Sequence, residues 1–314
     1  MGCLWAAALA RAGTETRLLL RPSSSKLSLC RSGKAPLCIR RPDSDPIHIL
    51  VDAEVSTHGA DIDKLLLFTK AYSATKALED VAPRLKPGAV VVILCNGALA
   101  LHEHVIRNDA FNQIHLLLGI TTHGAWSKAT FDVVHAGWGH TRFGRLHDSE
   151  IQEEVYNSTL HCLRTAGLGA TDEGLEIGRH LWLKLAANAA INPLTALRQK
   201  PNGFILSDPD ALRQVSQICR EVAAIEKALE QQQGRGEGPV GAIEMEEFAL
   251  QTARDTAQNR SSMLQDVEAR RATEIDFLNG WVASKGKELG VEVLANAQLT
   301  ALVKEKYHQK GRNG

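Results

Sequence analysis

The chain has 314 residues, with 36 Lys plus Arg against 36 Asp plus Glu and a formal net charge of zero. That length accommodates two ordinary domains, and the balanced charge gives no footing for nucleic acid or an anionic membrane surface as partner. A hydrophobic content of 44 % excludes a disordered chain, and apolar runs such as residues 89–94 have the length of a buried strand, far short of a membrane span.

The opening, MGCLWAAALARAG, has no basic residue ahead of its apolar part, as an export signal requires. It reads as an amphipathic helix over residues 2–12, stopped by Gly13 and followed by the strand ETRLLLR. Residues 22–46 are rich in Ser, Pro and Arg and read as a connection, and residues 47–55 as a strand. A short apolar strand over residues 63–70 ends in Lys70. A helix over 73–85 follows, then the strand and turn AVVVILCNG, a helix over 98–107, and a strand over 114–125. DVVHAGWGHTRFGRL resembles a strand pair around a glycine turn. Strands alternating with helices of this length argue for βαβ units and a parallel sheet. From residue 150 to the end helical periodicity dominates, broken at 166–174 and 234–241, and no further strand is expected. The spacing therefore predicts an α/β domain over residues 1–170 and an all-α domain over 171–314.

A dinucleotide-binding unit runs strand, G-x-G-x-x-G, helix, strand. With Gly2 as the third glycine, the first helix presents its N-terminus to a pyrophosphate. The next strand then ends at Arg21, where an NAD site carries an acidic residue. An arginine there suits a 2′-phosphate, and hence NADPH. The strand and the two glycines that open the motif are absent, and a start assigned too late is the favoured reason. In a doubly wound sheet that strand is central, and without it two neighbours keep unpaired backbone groups.

Six cysteines without a C-x-x-C pair read as reduced thiols rather than a disulfide framework or zinc site. His102 and His104 diverge on a helix and are expected at the surface, with no metal. In KLAANAAIN, Lys184, Asn188 and Asn192 recur every four residues. Each step drifts about 40° around a helix, so they form one polar stripe among Leu and Ala. Such a stripe needs partners: a solvated face, an interhelical network or a ligand cleft. Pro193 is expected to break or kink the helix just after Asn192. In SSMLQDVEARRATEID, Ser262 and Asp266 share a face and Glu274 is rotated away, while Glu268, Arg270 and Arg271 read as solvated.

FTKAYSATKAL, LCNGALALHE, GITTHGA, HLWLKLAANAAINPLTAL and SSMLQDVEARRATEIDFLNGW together resemble the 2-dehydropantoate 2-reductases (ketopantoate reductases), from Gly2 to about Lys306. The resemblance implies a Rossmann-type domain, here without its first strand, joined to a helical domain. NADPH and 2-dehydropantoate would meet in the cleft, giving (R)-pantoate on the route to pantothenate and coenzyme A. It also implies a cytoplasmic monomer or homodimer. Lys184 would be the general acid and Glu274 its support and a substrate anchor. Asn188, Asn192, Ser262 and, less centrally, Asp266 would bind substrate. Lys70, Asn96, His123 and Gly124 would border the cofactor with Gly2 and Arg21. Gly124 stands where the family pattern suggests alanine, and Leu294 where it suggests proline. Two alternatives stay open: a reductase of another branched 2-keto acid, and a non-catalytic binding protein that has lost the cofactor half-site.

Overall fold

The computed structural model describes residues 1–146, 151–233 and 238–307. The start of the expected helical run, at residue 150, and residues 234–237 of the glycine-rich break lie outside these. The chain forms two compact units, Met1–Gly178 and Arg179–Gly314.

Unit 1 is Rossmann-like and holds α1 (Gly2–Arg11), β1 (Arg17–Leu20), β2 (Lys34–Arg41), β3 (Ser44–Val55), β4 (Ile62–Leu67), α2 (Ala71–Val81), β5 (Leu85–Ile93), α3 (Ala98–Ile106), β6 (His115–Thr121), β7 (Gly124–Ala129), β8 (Asp132–Gly137), β9 (Thr141–Gly144), α4 (Glu153–Thr165) and β10 (Ala170–Gly174). The strands form two sheets, ordered β1-β3-β2-β8-β7 and β10-β9-β6-β5-β4. β1 runs parallel to β3, from the rung Arg17 opposite Asp52 to Leu20 opposite Val55. β4, β5 and β6 are parallel neighbours. In the doubly wound order 3-2-1-4-5-6, β3 and β1 take positions 3 and 2, and β4, β5 and β6 take positions 4, 5 and 6. Position 1 falls at the break between the sheets. Among the described residues, the β1 edge and the β4 edge each have one strand partner only.

α1 spans that break. Its Leu4, Trp5, Ala7 and Leu9 share one core with Leu37, Ile39 and Val51 of the first sheet and Val90, Val92, Leu117 and Phe143 of the second. The Trp5 indole is fully buried. It stacks on Phe68 at 6.0 Å and meets Phe143 edge-on at 5.7 Å, both favourable aromatic geometries. β5 and β6 carry unbroken buried apolar runs, as strands covered on both faces do.

Several expectations need correction. Residues 22–46 are not merely a connection, because they contain β2, which forms a tight hairpin with β3. Alternation buries Ala35, Leu37 and Ile39, and Pro36 is tolerated because the pairing of β8 to β2 covers only Cys38 to Arg40. Arg40 clamps that junction, its Nε donating to Asp132 Oδ1 at 2.9 Å. The expected strand at 114–125 is two strands, β6 and β7, in different sheets. β8 and β9 do not pair with each other; β8 joins β2 and β7, and β9 joins β6 and β10. Finally, β10 is a strand beyond residue 150, held parallel to β9. His102, expected at the surface, is buried on α3.

Unit 2 is helical: α5 (Ile177–Arg198, entering from the end of unit 1), α6 (Pro209–Gln233), α7 (Ala242–Asp255), α8 (Ser262–Glu268), α9 (Asn279–Leu289) and α10 (Leu294–Tyr307). No helix among the described residues is long and apolar enough to cross a membrane. α5 continues for five residues past Pro193, so of the expected break or kink there is no break.

Candidate active site

In unit 1, Gly2 opens α1, whose cap carries no side-chain hydrogen bond and whose first turn has no acidic residue. A Cβ at Gly2 would meet Phe68 at 3.6 Å, an ordinary contact, so internal packing does not demand glycine there. Burial holds the Met1 amine below its ordinary pKa. Arg21 is exposed directly after β1. Lys70, three residues beyond β4, is the N-cap of α2; Asn96 precedes Gly97, the N-cap of α3, whose φ of +69° favours glycine. α2 and α3 thus start from the carboxyl ends of adjacent parallel strands, where open α/β sheets bind ligands. Their caps, like that of α1, carry no side-chain hydrogen bond. Helix N-termini of this kind and the cations Arg21 and Lys70 fit the phosphates of a dinucleotide.

His123 has a structural commitment. It is 7 % exposed, and its Nε2–H donates to the Leu168 carbonyl at 2.9 Å. Its Nδ1 accepts from the Gly139 N–H at 3.0 Å and from His135 Nε2, also at 3.0 Å. This pattern requires a neutral His123 ring and a proton on Nε2 of His135. Burial, then the neighbouring His123, hold His135 below its ordinary pKa. Trp138 closes the cluster under the Arg41 guanidinium, 4.9 Å from the ring centre. What His123 offers a ligand is the loop it anchors rather than its ring. A Cβ on Gly124 would lie 3.3 Å from the Gly137 backbone nitrogen, so the glycine at this position permits the close approach of β7 and β8.

In unit 2, Lys184 and Asn188 are half-buried on α5 and Asn192 is 6 % exposed. His180, one step earlier on the same stripe and also half-buried, escaped the sequence reading although the four-residue spacing reaches it. Thr195 Oγ1 lies 2.6 Å from Ser261 Oγ, and Ser261 caps α8 by accepting from Leu264 N at 3.1 Å. That contact ties the helix bearing Asn192 to the start of the helix bearing Ser262 and Asp266. Asp266 is buried, and its Oδ1 accepts from Arg271 Nε at 2.9 Å. α8 ends at Glu268, and Arg270 turns the chain with φ +54°. Glu274 is therefore not on the helix of Ser262 and Asp266. It is 4 % exposed and caps a 3-10 turn, Ile275–Phe277. A separate groove of about 580 Å³, lined by Leu183, Phe248, Arg254 and neighbouring residues, reaches α5 at Leu183, about 100° around the helix from Lys184; it is not part of the stripe.

A Rossmann-like unit followed by a helical unit that carries a lysine–asparagine stripe defines a two-unit protein, one unit α/β and the other all-α. Residues 1–148 match ketopantoate reductase PanE/ApbA, and residues 176–307 match ketopantoate reductase PanE/ApbA C terminal. The chain belongs to the ketopantoate reductase PanE/ApbA family. It is 31 % identical over 308 residues to a 2-dehydropantoate 2-reductase of Vibrio cholerae, covering 97 % of this chain and 94 % of that one. It is 41 % identical over 244 residues to the 2-dehydropantoate 2-reductase of Pyrobaculum aerophilum, covering 78 % and 77 %. Among solved structures, D-mandelate dehydrogenase with NADH and anilino(oxo)acetate shares the fold at TM-score 0.83 and 23 % identity, covering 99 % of this chain and 96 % of that one. A PanE/ApbA family ketopantoate reductase from Ralstonia eutropha does so at TM-score 0.79 and 22 % identity, with the same coverage.

Proposed function

We propose that this protein catalyses the NADPH-dependent reduction of 2-dehydropantoate to (R)-pantoate. The observation that carries the reading is the α5 stripe: one lysine and two carboxamides at four-residue spacing among buried Leu, Ala and Ile side chains. The names of the full-length relatives support the substrate, and Arg21 at the end of β1 supports a 2′-phosphate, hence NADPH over NADH.

When bound, the nicotinamide would supply the hydride for the ketone carbon. The remaining work falls to side chains of this chain. Lys184 donates the proton that the developing alkoxide requires and stabilises its charge before transfer. Asn188 and Asn192 offer both donors and acceptors, which suits them to orient the keto acid's carboxylate and hydroxyl and so select the face that is reduced. Ser262 adds a hydroxyl from α8. Asp266, paired with Arg271, shapes the turn that leads to Glu274. Glu274 orients the substrate and supports Lys184. Arg21, Lys70, Asn96 and the N-terminus of α1 hold the dinucleotide, and the loop fixed by His123, with Gly124, borders it.

The test is 2-dehydropantoate-dependent oxidation of NADPH by the purified chain, with NADH and other branched 2-keto acids alongside. Lys184→Ala should lower kcat by about 10²- to 10⁴-fold, the usual contribution of a general acid. Preference for a different 2-keto acid would keep the reductase and reassign its substrate. A folded chain with no turnover on any of them would sink the enzymatic reading and favour a binding protein.

A further inference from the structure

Pro193 lies inside α5. A proline in that place has no N–H for the carbonyl four residues back, and its ring crowds the same carbonyl. The carbonyl belongs to Ala189, which is fully buried, one residue after Asn188 and three before Asn192. A buried carbonyl left without a donor is costly. The donor comes from another helix: Asn279 Nδ2, at the start of α9, donates to the Ala189 carbonyl at 2.9 Å.

The orientation of that carboxamide is itself determined. Asn279 Nδ2 also donates to Asn296 Oδ1 at 3.0 Å, and Asn296 Nδ2 donates to Glu221 Oε2 at 2.8 Å. Glu221 further accepts from the backbone N–H groups of Ala295 and Asn296 at 2.9 and 3.0 Å. A carboxylate only accepts, so Glu221 fixes which way round the Asn296 amide lies, and Asn296 fixes Asn279. The three side chains are 3 % exposed or less. The relay ends on the α5 backbone between the two stripe asparagines. Asn279 also follows Glu274 by five residues, across the 3-10 turn Ile275–Phe277. One amide therefore links the stripe's own backbone to the segment that carries Glu274.

We infer that Asn279 is a positioning residue: it stands in for the backbone N–H that Pro193 lacks, and so holds the Lys184–Asn188–Asn192 stripe in register with the Glu274 segment. The catalytic side of this inference rests on the reductase reading above; the structural side does not.

The experiment is a double-mutant cycle of Asn279→Ala and Pro193→Ala, read by urea unfolding and by kcat and KM for 2-dehydropantoate with NADPH. Val303→Ala, at a fully buried position on α10, serves as a control for general destabilisation. Asn279→Ala should shift the unfolding equilibrium by about tenfold or more when residue 193 is proline. The shift should be several-fold smaller when residue 193 is alanine, because the restored N–H makes the amide redundant. It should lower kcat at least tenfold, Val303→Ala should leave kcat intact, and Pro193→Ala should restore part of the lost kcat. Equal unfolding shifts in both backgrounds, or an unchanged kcat in Asn279→Ala, would overturn the inference. Where the alanine variant fails to fold, Asn279→Ser, which keeps a donor at shorter reach, takes its place under the same criteria. If the wild-type chain does not turn over 2-dehydropantoate, the reductase reading fails and the unfolding cycle alone decides: unequal shifts uphold the Asn279–Ala189 bond as the substitute for the missing N–H, and equal shifts refute it.

Discussion

Replacing Glu226 by Gln should stabilise the protein at alkaline pH and leave it almost unchanged in acid. Glu226 lies on α6 at 3 % exposure, and its Oε2 accepts from the Val240 N–H at 3.1 Å. Burial pushes its carboxyl up from 4.5 to about 8, a rise that the Val240 hydrogen bond only partly opposes. Below about pH 4.5 both folded and unfolded chains hold the proton, and the side chain carries no penalty. Between there and about pH 8 the unfolded chain ionises freely while the folded one resists, so stability falls as pH rises; above about 8 the loss is complete. A gap of about 3.5 pH units, at about 1.4 kcal/mol each, sets a ceiling near 5 kcal/mol. Local relaxation and water entry reduce such penalties, and a loss of about 2 kcal/mol is expected. Gln keeps an acceptor for Val240 and cannot ionise. Urea unfolding at pH 5, 7 and 9 should give wild-type and variant curves that coincide in acid and separate with pH, the variant being the more stable. Parallel pH dependences would refute the reasoning.

Trp5→Ala should cost about 3–5 kcal/mol, as expected for an aromatic side chain lost from a packed core, because this indole joins α1 to Phe68 and Phe143; thermal or urea unfolding measures it, and a cost under 1 kcal/mol would contradict the packing. Leu294→Pro should add about 0.4–1 kcal/mol, raising Tm. Leu294 is 57 % exposed at the first position of α10, where proline is well tolerated, and Glu221 caps the next two N–H groups instead. The His123–His135 pair should make the wild type lose stability as pH falls. The folded pKa of His135 lies below its ordinary 6.5, so its contribution is full above about 6.5 and declines below that. His135→Gln should flatten this acid limb in unfolding curves collected between pH 5 and 8.

The parts of the molecule written in short-range pattern were legible in the sequence. α1 with its stop at Gly13, the apolar runs of β5 and β6, and the Lys184–Asn188–Asn192 stripe each follow from spacing over a dozen residues or fewer. Most of the misreadings involve distant partners. β2 looked like a connection because Pro36 and its arginines mask a two-residue alternation, which acquires meaning only when β3 and β8 flank it. β8 and β9 look like a hairpin in one dimension but belong to different sheets, since β8 finds β2, over 90 residues away. Pro193 suggested a helix end because the group that offsets its missing N–H, Asn279, lies 90 residues on from the Ala189 carbonyl it serves. Glu274 was placed only in sequence, because the turn at Arg270 removes it from its apparent helix.

The break in the α/β sheet also has a bearing on how unit 1 behaves in concentrated solution. β1 and β4 each offer one row of backbone groups without a strand neighbour among the described residues; β1 ends in the half-exposed Leu18 to Leu20, and β4 carries the half-exposed Leu65 and Leu66 just before its buried last residue, Leu67. Edges of this kind recruit strands from other chains. Arg17 begins one of them, and Asp63 and Lys64 stand near the start of the other, charges of the sort that discourage such pairing. The guard therefore stands at the beginning of each strand and not at its leucine-rich end, so amide exchange should be fastest and intermolecular strand pairing should begin at those ends, with solubility set by two short segments of four and six residues rather than by the zero net charge of the whole chain.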